Sequence, residues 1–193
     1  ANETIIAAKG APEAIMRQSS LSVAELHAFE KQSMEYARQG YRVLGVGKSS
    51  WKEKHWPVSQ EEFEFEFLGL IVFQDPPKEN IIETIKTFNN AGITVKMITG
   101  DYAETALAIA DQVKLSHNGE VLTGKDVLHL SATALQQKVK AVNIYARMFP
   151  EAKLKVIEAL KDEGEIVAMT GDGVNDGPAL KAAHIGIAMG LRG

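Results

Sequence analysis

From about residue 78 onward, apolar runs of strand length alternate with segments of helical spacing, and two of the runs lead into the same tripeptide. Ile98 precedes Thr99-Gly100-Asp101, and Met169 precedes Thr170-Gly171-Asp172. Repeated strand–helix units of this kind bury their strands as a parallel, doubly wound sheet with right-handed crossovers. Ligands of such α/β sheets bind at the carboxyl ends of the strands, so both tripeptides point at one edge of the sheet. The spacing predicts helix 78–91, strand 93–98, helix 102–113, a stretch around Val121 without clear periodicity, helix 132–141 and strand 143–146. Helix 151–162, strand 166–169, a short helix 178–183 and strand 185–188 complete the pattern.

The residues before this follow a different plan. A strand over 4–9 leads to a turn at Gly10-Ala11-Pro12, whose proline can open a brief helix through Met16. Ser22-Val23-Ala24-Glu25 has the form of a capping box, Leu26, Phe29, Ser33 and Ala37 keep helical spacing, and Gly40 stands where a C-terminal cap belongs. A strand over 41–46 follows, and the aperiodic stretch 49–60, with both tryptophans, reads as a loop. Phe63, Phe65 and Phe67 alternate with glutamates as a half-buried strand does, and the continuously apolar run 68–73 reads as strand covered on both faces. Asp75-Pro76-Pro77 ends it, because proline cannot donate to a ladder. The residues place a domain boundary there or shortly before.

Composition narrows the chemistry. The longest apolar run, 67–73, is far shorter than the about 20 residues that cross a bilayer. A net charge of -4 with interleaved signs offers no cationic footprint for nucleic acid. With no cysteine there is no disulfide or thiolate site, and the five histidines form no metal-binding pair.

Asp101 and Asp172 each stand where a helix cap would serve, and Glu104, three residues after Asp101, strengthens that reading there. The segment Thr170-Gly171-Asp172-Gly173-Val174-Asn175-Asp176-Gly177-Pro178 asks for more, since it holds three glycines, two carboxylates and an amide. Glycines let backbone amides approach a phosphate, and carboxylates are hard oxygen ligands suited to Mg²⁺. The glycine spacing fits neither the dinucleotide-binding nor the P-loop pattern.

The run MTGDGVNDGPALKAAHIGIAMG, 169–190, closely resembles the hinge signature of the P-type ATPases. Lys9-Gly10-Ala11-Pro12-Glu13, Asp75-Pro76-Pro77 and Thr99-Gly100-Asp101 occur in that family's order. The resemblance implies a C-terminal part of an α+β nucleotide-binding domain over 1–67, and a phosphorylation domain of haloacid dehalogenase type over 68–193. It implies that Lys9, Gly10 and Arg42 hold ATP, that Asp172 binds Mg²⁺, and that Thr99, with Gly100 and Asp101, and Lys153 serve the phosphoryl group. Asn175 and Asp176 would orient the loop. Lys153 is assigned because Ala146-Arg147-Met148-Phe149-Pro150-Glu151-Ala152-Lys153 resembles the family's Ala-Arg-x-x-Pro-x-x-Lys run. A lysine at a helix start near the strand ends can offset charge on a transferring phosphoryl group. Without the resemblance, Lys153 reads as a surface helix lysine like Lys155, and Arg42 as a solvated strand arginine.

Two departures stand out. Gly177 replaces the alanine that usually follows the Asn-Asp pair, and the Asp-Lys-Thr-Gly-Thr motif bearing the family's nucleophile occurs nowhere in these 193 residues. The phosphorylation sheet would then lack its central first strand, and either the gap is tolerated, with an exposed edge free to pair as in a homo-oligomer, or it is filled by the missing segment.

The resemblance implies part of an ATP-driven cation pump working through an aspartyl-phosphate, on the cytoplasmic side of a membrane, with the missing segment and a membrane domain as its partners and the transported cation bound elsewhere. The fragment alone is expected not to turn over. The Lys-Gly-Ala-Pro-Glu form looks like pumps for light cations, calcium first among them. Two other readings are a soluble phosphatase of the same superfamily, which needs an aspartate at the end of a first strand, and a non-catalytic module binding ATP or a partner through residues 1–66.

Overall fold

The computed structural model describes residues 4–52, 55–59, 62–74, 76–171 and 174–189, and the chain divides into two units, Ala1–Pro76 and Pro77–Gly193. In the first, strand β1 (Thr4–Gly10), helices α1 (Pro12–Arg17) and α2 (Val23–Arg38), and strands β2 (Arg42–Trp51) and β3 (Glu66–Phe73) follow in order. The three strands form an antiparallel sheet with β2 central. The predicted capping box starts α2: Ser22 Oγ accepts from the Glu25 N–H, and the Glu25 carboxylate accepts from the Ser22 N–H. The Ser22 hydroxyl and amide hold the Glu25 carboxyl below its ordinary range. Gly40, at φ 83, follows the helix end. Ser33 and Ala37 are buried on the face of α2 that the spacing selects, and the Phe29 and Phe67 rings meet edge to face at 4.8 Å. Helix α1 lies so close over β2 that a Cβ on Gly45 would stand 3.0 Å from Pro12 Cα, and one on Gly47 3.1 Å from Ile15.

Several expectations need correction here. Strand β2 runs on through Ser49 to Trp51, because Thr4–Ile6 offer it partners as far as Trp51. Phe63 lies outside any strand and Phe65 makes one isolated bridge, to Ser19, so β3 begins at Glu66. The division falls after Pro76, where the proline pair places it and beyond the limit at Phe67 that the resemblance implies, because β3 pairs with β2 as far as Phe73. Nor is the 68–73 run covered on both faces: Leu68, Ile71 and Phe73 are exposed.

The second unit contains α3 (Ile81–Asn90), β4 (Met97–Ile98), α4 (Ala103–Gln112), β5 (Val121–Thr123), α5 (Gly124–His129) and α6 (Ala132–Ala141). It continues with β6 (Ile144–Ala146), α7 (Pro150–Asp162), β7 (Ala168–Gly171), a 3₁₀ turn (Val174–Asp176), α8 (Gly177–Ala182) and β8 (Ile185–Ala188). All of its strand pairs are parallel. The single sheet that was expected comes in two pieces, β4-β6-β5 and β7-β8. Helices cover both faces of the first piece. Ile144 and Ala146 of β6 pack with Ile85 of α3 and Ala106 and Ala110 of α4. Tyr145 between them packs with Val127, Leu135, Val139 and Val156 from α5, α6 and α7. Its hydroxyl donates to the Val142 carbonyl at 3.1 Å, and burial pushes its pKa well above the ordinary tyrosine value.

Strand β4 has two residues where six were expected, and at Lys96 the chain is held by its side chain, whose Nζ donates to Val142 O and Asn143 Oδ1 at 2.8 Å. Helix α5 was not foreseen. Its signal is a second capping box in which Thr123 ends β5 and caps the helix while Asp126 answers it; the Thr123 hydroxyl and amide lower the Asp126 pKa. Among the described residues no helix is long and apolar enough to cross a membrane.

Two substitutions test this packing. The Ser33 hydroxyl is buried without a hydrogen-bond partner, so Ser33→Ala should raise stability by about 1 kcal/mol, read as a higher Tm; a lower Tm would contradict the burial described. A Cβ on Gly124 would stand 2.6 Å from Arg147 O and 2.7 Å from the Phe149 ring. Gly124→Ala should therefore cost about 1–3 kcal/mol in denaturant unfolding, and a neutral result would mean that this approach is looser than drawn.

Candidate functional site

Strand β4 delivers Thr99, and strand β6 delivers Arg147, at neighbouring carboxyl ends of one parallel sheet. Backbone bonds join the two loops. The Thr99 N–H donates to Tyr145 O at 2.9 Å, the Met148 N–H donates to Thr99 O at 3.0 Å, and the Arg147 N–H donates to Asp101 O at 2.9 Å. Within the tripeptide, Thr99 Oγ1 donates to Asp101 Oδ2 at 3.0 Å and accepts from the Asp101 N–H at 3.1 Å. Asp101 is therefore no helix cap: α4 starts after Tyr102, with no side-chain cap bond. Gly100 is exposed between these two anchored residues. Such a turn, with an exposed glycine and its side chains already tied, presents backbone to a ligand.

Arg147 has a left-handed backbone, φ 51, and its guanidinium lies 4.2 Å over the Tyr102 ring. Burial pushes its pKa down, but guanidinium starts so far above neutrality that it keeps its charge. Neither residue was among those assigned from the sequence. Arg147 stood within the quoted Ala-Arg run, whereas nothing in the local pattern marks Tyr102.

The second cluster forms at the end of β7. Asp176 stands at the N-cap position of α8 yet makes no cap bond; its carboxylate instead receives Lys153 Nζ at 2.5 Å. The two side chains are only 13% and 11% exposed, so Lys153 is not a surface lysine. A Cβ on Gly171 would stand 2.8 Å from Asp176 Cβ and Oδ2, so only glycine leaves room for this carboxylate. Lys155, read as a free neighbour, is tied down too: its Nζ donates to the carbonyls of Val127, Leu128 and Leu130 at 3.0, 3.2 and 3.2 Å and closes the C-terminal end of α5. Asn175 is exposed on the 3₁₀ turn.

Asp172, assigned as the Mg²⁺ ligand, and Asp75 lie outside the described residues. Among the described residues no group of three or more His, Asp or Glu could hold a metal ion, and the Asp176 carboxylate is engaged by an ammonium. The described donors therefore do not by themselves make a metal site.

In the first unit, Lys9 stands opposite Val46 and Gly10 opposite Gly45, while Arg42 stands opposite Phe73. Side chains alternate along a strand, so Lys9, Val46, Leu44's opposite number Ile71, Arg42 and Phe73 share the face turned away from α1. Two cations and an apolar floor thus lie on one open sheet face.

A family model described as haloacid dehalogenase-like hydrolase matches residues 3–184. The chain is 40% identical over 200 residues to a calcium-transporting ATPase of Bacillus subtilis, covering 97% of this chain and 22% of that protein. It is 41% identical over 168 residues to the cation-transporting ATPase pma1 of Synechocystis, covering 85% and 19%. Against calcium-transporting ATPase 1 of Saccharomyces cerevisiae it is 35% identical over 212 residues, covering 100% and 22%. The chain thus spans about a fifth of the length of these relatives. Parallel strands with helices on both faces, loops converging at their carboxyl ends and a family match over nearly the whole sequence together show that the chain belongs to the haloacid dehalogenase-like hydrolases, in a form similar to a segment of cation-transporting ATPases.

Proposed function

We propose that this chain is the part of an ATP-driven cation pump that binds the nucleotide and surrounds the transferring phosphoryl group. The observation that carries the reading is the division of the second unit's sheet: β4 ends one piece, β7 lies in the other, and both lead into Thr-Gly-Asp. A strand inserted between them, carrying an aspartate at its carboxyl end, would complete one sheet and set that carboxylate among Thr99, Gly100, Lys153 and Asp172. A carboxylate oxygen would then attack the γ-phosphorus, forming an acyl phosphate as the bond to the β–γ bridging oxygen breaks and ADP leaves. The soluble-phosphatase reading is less well supported, because the similarity to pumps runs through the first unit as well.

The residues at the two loops and on the sheet face divide the work in this proposal. Asp176 holds the Lys153 ammonium at the loop after β7, where it would offset phosphoryl charge. The closed turn at Thr99 would offer the Gly100 N–H to the phosphoryl oxygens, its other donors being tied within the fold. Mg²⁺, with Asp172 as its ligand, would neutralise phosphate charge. On the first unit, Lys9 and Arg42 would meet the phosphates of ATP and the apolar floor would receive the base, whereas the Cα hydrogens of Gly10 face Ile15 of α1 on the other side of the sheet. The parent protein would then act at the cytoplasmic side of a membrane, and calcium is the proposed cargo because the relatives in Bacillus subtilis and yeast carry that name.

Two measurements follow. Calorimetric titration of the chain with ATP should show binding that Lys9→Ala weakens about tenfold, the loss of one charge-assisted contact, while Asp172→Ala changes it little; equal affinity in Lys9→Ala would remove the nucleotide site from this face. Asp176→Ala should cost about 3 kcal/mol in urea unfolding because it strands the Lys153 charge, whereas Lys153→Met combined with Asp176→Leu should cost less than the two single changes together. Simple additivity would mean that the pair is not coupled.

A further inference from the structure

Tyr102 has no part in the reading above, yet its ring lies under the Arg147 guanidinium where the β4 and β6 loops are joined. Arg147 needs holding in place. Its φ of 51 is a conformation that non-glycine side chains adopt only when the surroundings enforce it. Arg147 is engaged through the peptide units on both of its sides: its N–H donates to Asp101 O, and its carbonyl faces Gly124 so closely that no Cβ fits there. The next residue's N–H, that of Met148, donates to Thr99 O. If the Arg147 turn relaxed, both ends of the Thr99–Asp101 turn would lose a donor together. Tyr102 directly follows that turn and stands at the N-cap position of α4 with an extended backbone, φ -63 and ψ 153, where its carbonyl accepts from the Ala106 N–H at 2.9 Å.

We infer that Tyr102 is a positioning residue for the phosphoryl-contacting turn Thr99-Gly100-Asp101, acting by holding the Arg147 cation on its ring face. This rests on the proposal that the turn contacts the phosphoryl group. The force involved is the attraction between a cation and the negative face of an aromatic ring, strengthened by the partial burial of the guanidinium. A residue that merely filled space at the start of α4 could be replaced by leucine; a π face could be replaced only by another aromatic ring.

The test compares Tyr102→Leu and Tyr102→Phe in the full-length pump containing this chain. Labelled inorganic phosphate is titrated in the presence of Mg²⁺, the reaction is quenched in acid, and hydroxylamine-sensitive label is counted; ATP affinity is measured in parallel. Tyr102→Leu should raise the half-saturating phosphate concentration about three- to tenfold with the maximal label and the ATP affinity unchanged, and Tyr102→Phe should stay within about twofold of the unsubstituted protein. Equal behaviour of the two variants, or no shift in Tyr102→Leu, overturns the inference. Loss of ATP affinity in Tyr102→Leu overturns it too, since the ring would then support the fold at large. If the unsubstituted pump takes no label from phosphate or from ATP, it is the phosphorylation reading that fails, and the positioning role falls with it.

Discussion

Among the described residues no ladder joins the two pieces of sheet in the second unit, and what unites them is the buried face of α7. Ala152, Val156, Ile157 and Leu160 project from that helix into one cluster that includes Tyr145 of β6 and Met169 of β7. Burying the valine, isoleucine and leucine contributes on the order of 1.5–3 kcal/mol each, so this seam can hold the two strands in one body without hydrogen bonds between them. The same helix begins beside the loop after β6 and carries Lys153 to Asp176 in the loop after β7. One helix therefore sets both the packing of the unit and the spacing of its charged groups.

On the proposed function, that arrangement divides the chemistry into two prepared half-sites. On one side, the Thr99 turn is closed by its own hydroxyl and carboxylate and tied to the loop after β6. On the other, an ammonium and a carboxylate are held together under little solvent. Each half-site is satisfied internally, which is what keeps buried polar groups from destabilising a fold that would otherwise leave them bare. The edges of β4 and β7 remain the places where a further parallel strand could add.

Much of this was legible in the residues. Helix α6 and strand β8 fall where periodicity puts them, and the first capping box and Gly40 bound α2 as their chemistry requires. The errors have physical causes. Strand β2 outran its own apolar pattern because β1 supplied partners for Ser49 and Ser50. Helix α5 was overlooked because Thr123 serves as strand end and cap at once. Asp101 looked like a cap because Glu104 follows it at capping-box spacing, yet its carboxylate found Thr99 first. The pairing of Lys153 with Asp176 and the seat of Arg147 on Tyr102 join residues far apart in the chain, or depend on a left-handed turn, and neither leaves a local signature.

On the proposed function, the chain surrounds a phosphoryl-transfer centre whose nucleophile it does not itself contain. Incubating the purified chain with Mg²⁺ and γ-labelled ATP, quenching in acid and seeking hydroxylamine-sensitive label tests this most directly. Nucleotide should bind, and no label should appear on the 193 residues. Stable label on the chain would contradict this, because one of the aspartates present would then be the nucleophile.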